Sequence, residues 1–178
     1  VFILIREDIC SLITDYLGTD KVPYRVTHND TKVNNVMMNK DTGDFLAVVD
    51  LDTVMPGSSI YDFGDSIRFG AATAPEDTRD LDKMTLDLHL FEVYTKGYLE
   101  ACRSLTNEEI KLLPIGAKIT TLELVVRFLT DYLEGDHYFK IDYPEHNLVR
   151  TRAQLKLVKD MEDKWSQMQK IVAKFIKE

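Results

Sequence analysis

The sequence predicts an α+β domain, predominantly helical, with one small β-hairpin carrying a polar loop. Three observations predict it. Apolar residues recur at helical spacing through most of the chain after Asp62. Two short apolar runs, Asn35 to Met38 and Phe45 to Val49, flank Lys40-Asp41-Thr42-Gly43-Asp44, whose Asp and Gly favour a hairpin turn. Just ahead of that hairpin stands a segment dense in polar groups, His28 to Asn35.

Taken in order, Phe2, Ile5, Ile9, Leu12, Ile13 and Tyr16 follow helical spacing, and Gly18 supplies a C-cap. Tyr24 to Thr27 reads as an extended run leading into His28, and Pro56-Gly57 as a loop closing the hairpin region. Asp62 caps a helix through Ile67 and Phe69, and Pro75 interrupts before a longer helix over Leu81 to Cys102. Thr106 and Glu109 form a capping-box pattern. Pro114 is expected to split the following helix, whose longer part reaches Tyr132 and ends at Gly135. The clearest element is the last, an apolar stripe over Leu155, Val158, Met161, Trp165, Met168, Val172 and Phe175.

The 178 residues fit one domain, 1–178, and 44% apolar with 29% charged residues suits a folded globular chain. A net charge of −8 argues against nucleic-acid binding, which requires a dense basic face. It does not exclude a small anionic ligand, because a bound cation can reverse the local field. Cys10 and Cys102 have no metal-ligand spacing and stand among apolar residues, as expected of two buried free thiols in a reducing compartment. Val1 to Ile5 is too short for a membrane span and lacks the flanks of a signal peptide, and it reads as a domain cut from a longer protein.

The segment His28-Asn29-Asp30-Thr31-Lys32-Val33-Asn34-Asn35 carries the spacing H-x-D-x-x-x-x-N. Phosphoryl transfer from ATP needs a carboxylate to accept or orient the proton of the attacking hydroxyl, an oxygen ligand for magnesium, and a cation near the transferred group. Asp30, Asn35 and Lys32 can fill those roles in that order, with His28 bracing the loop. Fifteen residues after Asn35, the apolar strand ending at Val49 runs into Asp50-Leu51-Asp52. A carboxylate at the end of a buried strand needs a cation, and Mg²⁺ suits Asp50 beside Asn35.

In this order and separation the motifs resemble the C-terminal lobe of the aminoglycoside phosphotransferase and choline kinase superfamily, which shares the protein-kinase-like fold. The matching residues are His28, Asp30, Asn35, Val49-Asp50-Leu51-Asp52, Gly57 and Asp62; Asn29 stands where that family usually has Gly. The resemblance implies Asp30 as catalytic base, Asn35 and Asp50 as magnesium ligands, ATP as co-substrate, and a separate N-terminal nucleotide lobe before Val1. Lys32 is not general to that family. His28 to Lys32, Asp50 to Val54, Tyr61-Asp62-Phe63-Gly64-Asp65 and Arg127 to Leu133 are similar to the bacterial N-acetylhexosamine 1-kinases. That closer likeness implies a cytoplasmic bacterial enzyme of glycan salvage making a sugar 1-phosphate.

For the acceptor, Arg127 and Tyr138 resemble the sugar-contacting Arg and Tyr of that group, although Arg127 can instead pair with Asp131 on its own helix. Trp165 can stack on a sugar face but lies on the apolar stripe of the last helix. Asp52 and Asp65 suit supporting contacts or helix caps, and His89, His137 and His146 suit structural or surface positions. Other acceptors, an aminoglycoside, choline or another amino alcohol, would use the same transfer machinery, and a non-catalytic sugar-binding lobe is the alternative of another class. Sulfatase activity is excluded by the absence of C/S-x-P-x-R at either cysteine. Alone, without a nucleotide lobe, the chain is expected to turn over no ATP.

Overall fold

The structure of the chain, a computed structural model, describes residues 2–176; Val1, the first residue of the apolar N-terminal run, lies outside them. Four short strands, β1 (Arg25–Thr27), β2 (Val36–Met38), β3 (Phe45–Val48) and β4 (Met55–Gly57), precede five α-helices. The helices are α1 (Ser59–Gly70), α2 (Leu88–Ala101), α3 (Asn107–Glu134), α4 (His146–Asp163) and α5 (Trp165–Ala173). This is the α+β, predominantly helical architecture expected. No helix among the described residues is long and apolar enough to cross a membrane.

α3 is the axis of the body, packing on α1 and α4 along its length and on α5. Ile60, Phe63 and Ile67 recur every three or four residues on α1 and are buried against Ile110, Leu113 and Ala117 of α3. α1 and α3 approach at Gly64 and Gly116. A Cβ on Gly64 would stand 2.5 Å from the Gly116 carbonyl oxygen, and one on Gly116 would overlap the Ile60 carbonyl oxygen. Only residues without a side chain allow main chain to meet main chain there.

The capping box forms as the sequence predicts: Thr106 Oγ1 accepts from the Glu109 N–H at 3.0 Å, and Glu109 Oε2 accepts from the Thr106 N–H at 2.8 Å. Glu109, fully buried, also accepts from Arg25 Nε and Nη2, both at 2.7 Å, and from Ser59 Oγ at 3.1 Å. Burial works to raise its pKa, but the bonds from Arg25, Thr106 and Ser59 outweigh that and hold it low. One carboxylate thereby ties β1, α1 and the start of α3 together.

Several elements differ from expectation. The N-terminal segment is a 3-10 helix over Leu4–Ile9 followed by turns, with Leu4 and Ile5 exposed, because few of its apolar residues find a partner. Pro56-Gly57 is not a loop but part of β4, antiparallel to β1 with Val26 opposite Pro56; proline is tolerated because each strand of a two-stranded sheet is an edge. α1 is capped by Ser58, whose hydroxyl accepts from the Ile60 N–H, leaving Asp62 free for other work. The 81–102 region divides into a turn at Leu81–Lys83 and α2, which is capped by Asp87. Pro114 does not split α3; it removes one backbone donor, and buried contacts on both sides carry the helix through it. The last stripe is two helices broken at Lys164, and Cys10 is exposed while Cys102 is only partly buried.

The β2–β3 hairpin matches its prediction closely. Val36 pairs with Val48, and the turn closes through Asn39 N–H to the Asp44 carbonyl at 2.7 Å, with Gly43 at φ +75°. Its strands are not buried, however. Met37, Met38, Phe45, Leu46 and Val48 are all exposed, so the hairpin projects from the helical body. The desolvation argument for a cation at Asp50 therefore does not hold, since Asp50 itself is exposed.

Candidate active site

β1 delivers the chain into the 28–35 loop, and the loop turns sharply at Asn29, whose φ is +63°. Asparagine and glycine are the residues that adopt this left-handed conformation most readily, which accounts for Asn29 at a position the resembling family fills with Gly. The turn is clamped by Asp62 from the first turn of α1. Its two carboxylate oxygens accept from the His28 and Asn29 N–H groups, each at 2.8 Å, and its carbonyl accepts from Thr31 Oγ1 at 2.5 Å. Burial pushes the Asp62 pKa up, against those two bonds. Thr53 adds a further tie, donating to the His28 carbonyl at 2.6 Å, and Asn29 Nδ2 donates to the Thr53 carbonyl at 2.9 Å.

Held this way, Asp30 receives Lys32 Nζ at 2.8 Å and Asn35 Nδ2 at 2.9 Å on the same oxygen, Oδ2. Partial burial works to raise the Asp30 pKa; the bonds from Lys32 and Asn35 win and keep it below the usual carboxylate value. Asn35 is buried, and its amide nitrogen also donates to the Asp30 carbonyl at 2.9 Å, so its side-chain oxygen is left to face another partner. His28 Nε2 donates to the Val49 carbonyl at 3.0 Å, and the Val49 N–H donates to the Asn35 carbonyl at 2.9 Å. These two bonds bring Asp50, at φ +64°, back beside the loop. No group of three or more His, Cys, Asp or Glu side chains suited to a metal forms among the described residues. Asn35 and Asp50 carry the oxygen-donor types that Mg²⁺ takes, one or two from the protein with water and phosphate completing the shell.

An open cavity of about 780 Å³ begins at this loop and runs between α1, α3, α4 and the 136–140 segment. Asp30 and Lys32 line one end, and Arg127 and Tyr138 line it too. The sequence thus brings together residues nearly a hundred positions apart. Arg127 Nη2 donates to Tyr138 Oη at 3.2 Å, with the guanidinium 5.4 Å over that ring. Its ion pair is with Glu123 at 3.4 Å, not with Asp131. Asp131 is occupied elsewhere. It accepts from the N–H groups of His137, Tyr138 and Phe139 and from Asn147 Nδ2, all within 2.9 Å, and so builds the loop that presents Tyr138.

Trp165 does not join this site. It sits at the start of α5, packed against the core with Lys118 Nζ 5.6 Å from its ring centre, and it does not line the cavity. Asp65 pairs with Arg68 at 3.0 Å on the cavity wall. His146 is buried, its ring stacked on Tyr143 and its Nε2 3.2 Å from Asp77. Sequence reasoning did not single out Glu76, Glu123, Lys140 or Arg150 as cavity residues. Nothing in their local spacing marks them, because each reaches the cavity only through the packing of separate elements.

The fold has the architecture of a kinase-like C-terminal lobe. Residues 11–100, half of the chain, match APH, the Phosphotransferase enzyme family, and the chain belongs to that family. The match ends within α2, so the family assignment rests on the loop, the hairpin and α1, while the α3–α4 side of the cavity lies beyond it.

Proposed function

We propose that the protein transfers the γ-phosphoryl group of ATP to a hydroxyl of a small molecule, most specifically the anomeric hydroxyl of an N-acetylhexosamine, giving a sugar 1-phosphate and ADP. The observation that carries the reading is the Asp30 carboxylate, held ionised by Lys32 and Asn35 at one end of a cavity whose other wall presents Arg127 and Tyr138. An ionised Asp30 can accept the hydrogen bond of the attacking hydroxyl, aim its oxygen at the γ-phosphorus, and take the proton as the bond to the phosphoryl group forms. Lys32, beside Asp30, supplies a cation for the charge spread over the transferred oxygens. Asn35 and Asp50 would hold Mg²⁺, which when bound neutralises charge on the phosphates. His28, through Val49, keeps Asp50 in register with the loop.

The balance of charges in the cavity supports this choice of acceptor class. Lys32, Arg68, Arg127, Lys140 and Arg150 line it alongside Asp30, Asp65, Glu76 and Glu123. Tyr61, Phe128, Tyr138 and Phe139 also line it, so it is the excess of cations over carboxylates, and not any lack of aromatic rings, that favours a neutral sugar over a cationic choline or aminoglycoside. The exposed apolar hairpin, with Met37, Phe45 and Leu46, suits contact with an N-terminal nucleotide lobe. On this reading the chain works with that lobe and turns over no ATP alone.

The test offers a full-length protein carrying both lobes a panel of acceptors with Mg-ATP. Turnover of N-acetylglucosamine or N-acetylgalactosamine is expected. Turnover of choline or an aminoglycoside with none of any N-acetylhexosamine would sink the sugar reading, and ATP turnover by the isolated 178-residue chain would sink the two-lobe reading.

A further inference from the structure

Two guanidinium groups from different helices meet on the cavity wall. Arg68 of α1 is buried; its Nε donates to Asp65 Oδ1 at 3.0 Å and its Nη1 to Glu76 Oε2 at 2.6 Å. Arg150 of α4 donates through Nη1 to the Lys140 carbonyl at 3.1 Å and to Asn147 Oδ1 at 3.0 Å. Its Nε is buried without a hydrogen-bond partner, and the nearest anion is Glu76 Oε1 at 3.8 Å. Glu76 therefore stands between the two arginines with one carboxylate oxygen toward each. It comes from the connection after α1, where the Thr78 N–H donates to the Pro75 carbonyl at 3.0 Å and Asp77 contacts His146.

Converging guanidiniums are the side chains best suited to grip a carboxylate or phosphate. Here that position is already filled by the protein's own carboxylate. The fit is loose on one side, since 3.8 Å is too long for a hydrogen bond and leaves a buried donor unmet. Glu76 is the most exposed of the three, 27% against 5% for Arg68 and 17% for Arg150, so a carboxylate-bearing ligand reaching for either arginine comes up against it, and like charges at close range repel.

We propose that Glu76 is a specificity-determining residue that occupies an arginine-built anion position in the acceptor cavity and so excludes acceptors bearing a carboxylate, such as hexuronic acids, in favour of neutral sugars. This rests on the reading of the cavity as the acceptor site. Removing the charge while keeping the shape, as in Glu76→Gln, leaves Arg68 an oxygen to donate to and frees Arg150 to bind an incoming carboxylate.

The test titrates the 178-residue chain calorimetrically with glucuronate and with glucose. Wild type is expected to bind glucuronate more weakly than glucose. Glu76→Gln is expected to bind glucuronate at least tenfold tighter than wild type with glucose changed less than twofold, and Glu76→Gln/Arg150→Gln to lose that gain. Unchanged glucuronate affinity in Glu76→Gln, or a gain that survives loss of Arg150, overturns the proposal. If Glu76→Gln does not fold, Glu76→Asp keeps the charge but draws it back from Arg150, and a gain of about threefold is expected; none overturns the proposal. The readout needs no phosphoryl transfer, so a full-length enzyme inactive toward N-acetylhexosamines would defeat the N-acetylhexosamine reading while leaving this result standing.

Discussion

The two walls of the cavity are held by different physics. On the loop side, the strands that carry His28 to Asn35 and Asp50 contribute little to the core: Val26, Met37, Phe45 and Leu46 are exposed. Their geometry is fixed by directed hydrogen bonds, Asp62 to two backbone N–H groups and Thr53 to the His28 carbonyl. On the facing side, α1, α3 and α4 bury contiguous apolar faces, and their polar residues decorate a wall that packing has already positioned. A site assembled this way can lose its chemistry without losing its fold, and lose its fold without any change to the reacting groups.

The sharpest separation should come from Asp30. In a full-length protein, Asp30→Asn should cut turnover by about 10³-fold or more, while thermal unfolding of the chain stays within a degree or two of wild type. A large fall in melting temperature would mean the loop is part of the stability core after all. The opposite pattern is expected of Arg25→Met. It strands the buried Glu109 carboxylate, and urea unfolding should show a loss of about 3–5 kcal/mol. Gly116→Ala forces a methyl group into the α1 backbone and should cost about 1–3 kcal/mol by the same measurement.

Asp62→Asn tests the joint between the two walls. The substituted amide can accept from one of the two backbone N–H groups but not from both, leaving a part-buried donor unmet, which costs about 1–3 kcal/mol. Amide exchange at His28 and Asn29 should quicken while α3 exchange holds. The smallest effect belongs to Glu162, whose pKa is lowered to about 2 by hydrogen bonds from Arg6 and Lys118 acting against partial burial. Its contribution is present above the ordinary glutamate value and is lost as pH falls toward 2. Solvent screening reduces it to about 1 kcal/mol, so wild type and Glu162→Gln should differ at pH 7 and converge near pH 2.

The sequence made the loop side far more legible than the facing wall. Asp30, Lys32 and Asn35 contact one another within six positions, so their spacing already encodes their geometry. The capping box at Thr106 and the Gly43 turn are equally local. What escaped was long-range. The bond of Asp62 to His28 spans 34 positions and the Arg25–Glu109 pair 84, and an acidic residue in a sequence does not announce its partner. β4 was hidden for a different reason: Pro56 and Gly57 carry strong turn preferences that pairing with β1 overrides. Trp165 and Arg127 show the same limit from two directions. Helical spacing placed Trp165 on the core stripe but could not say which face the cavity opens on, and it placed Asp131 within reach of Arg127 without showing that backbone donors already filled it.

The crossing of Gly64 and Gly116 has a consequence for how acceptor choice can change. Asp62 anchors the reacting loop half a turn before Gly64, and Glu123 and Arg127 project from α3 two to three turns beyond Gly116. With main chain against main chain at the pivot, the jaws of the cavity are set like a caliper locked at its joint. On the proposed function, substitutions farther along α3 would reshape the lining of the jaw around this fixed pivot, so new acceptors could be tried with the reach from hydroxyl to phosphorus unchanged.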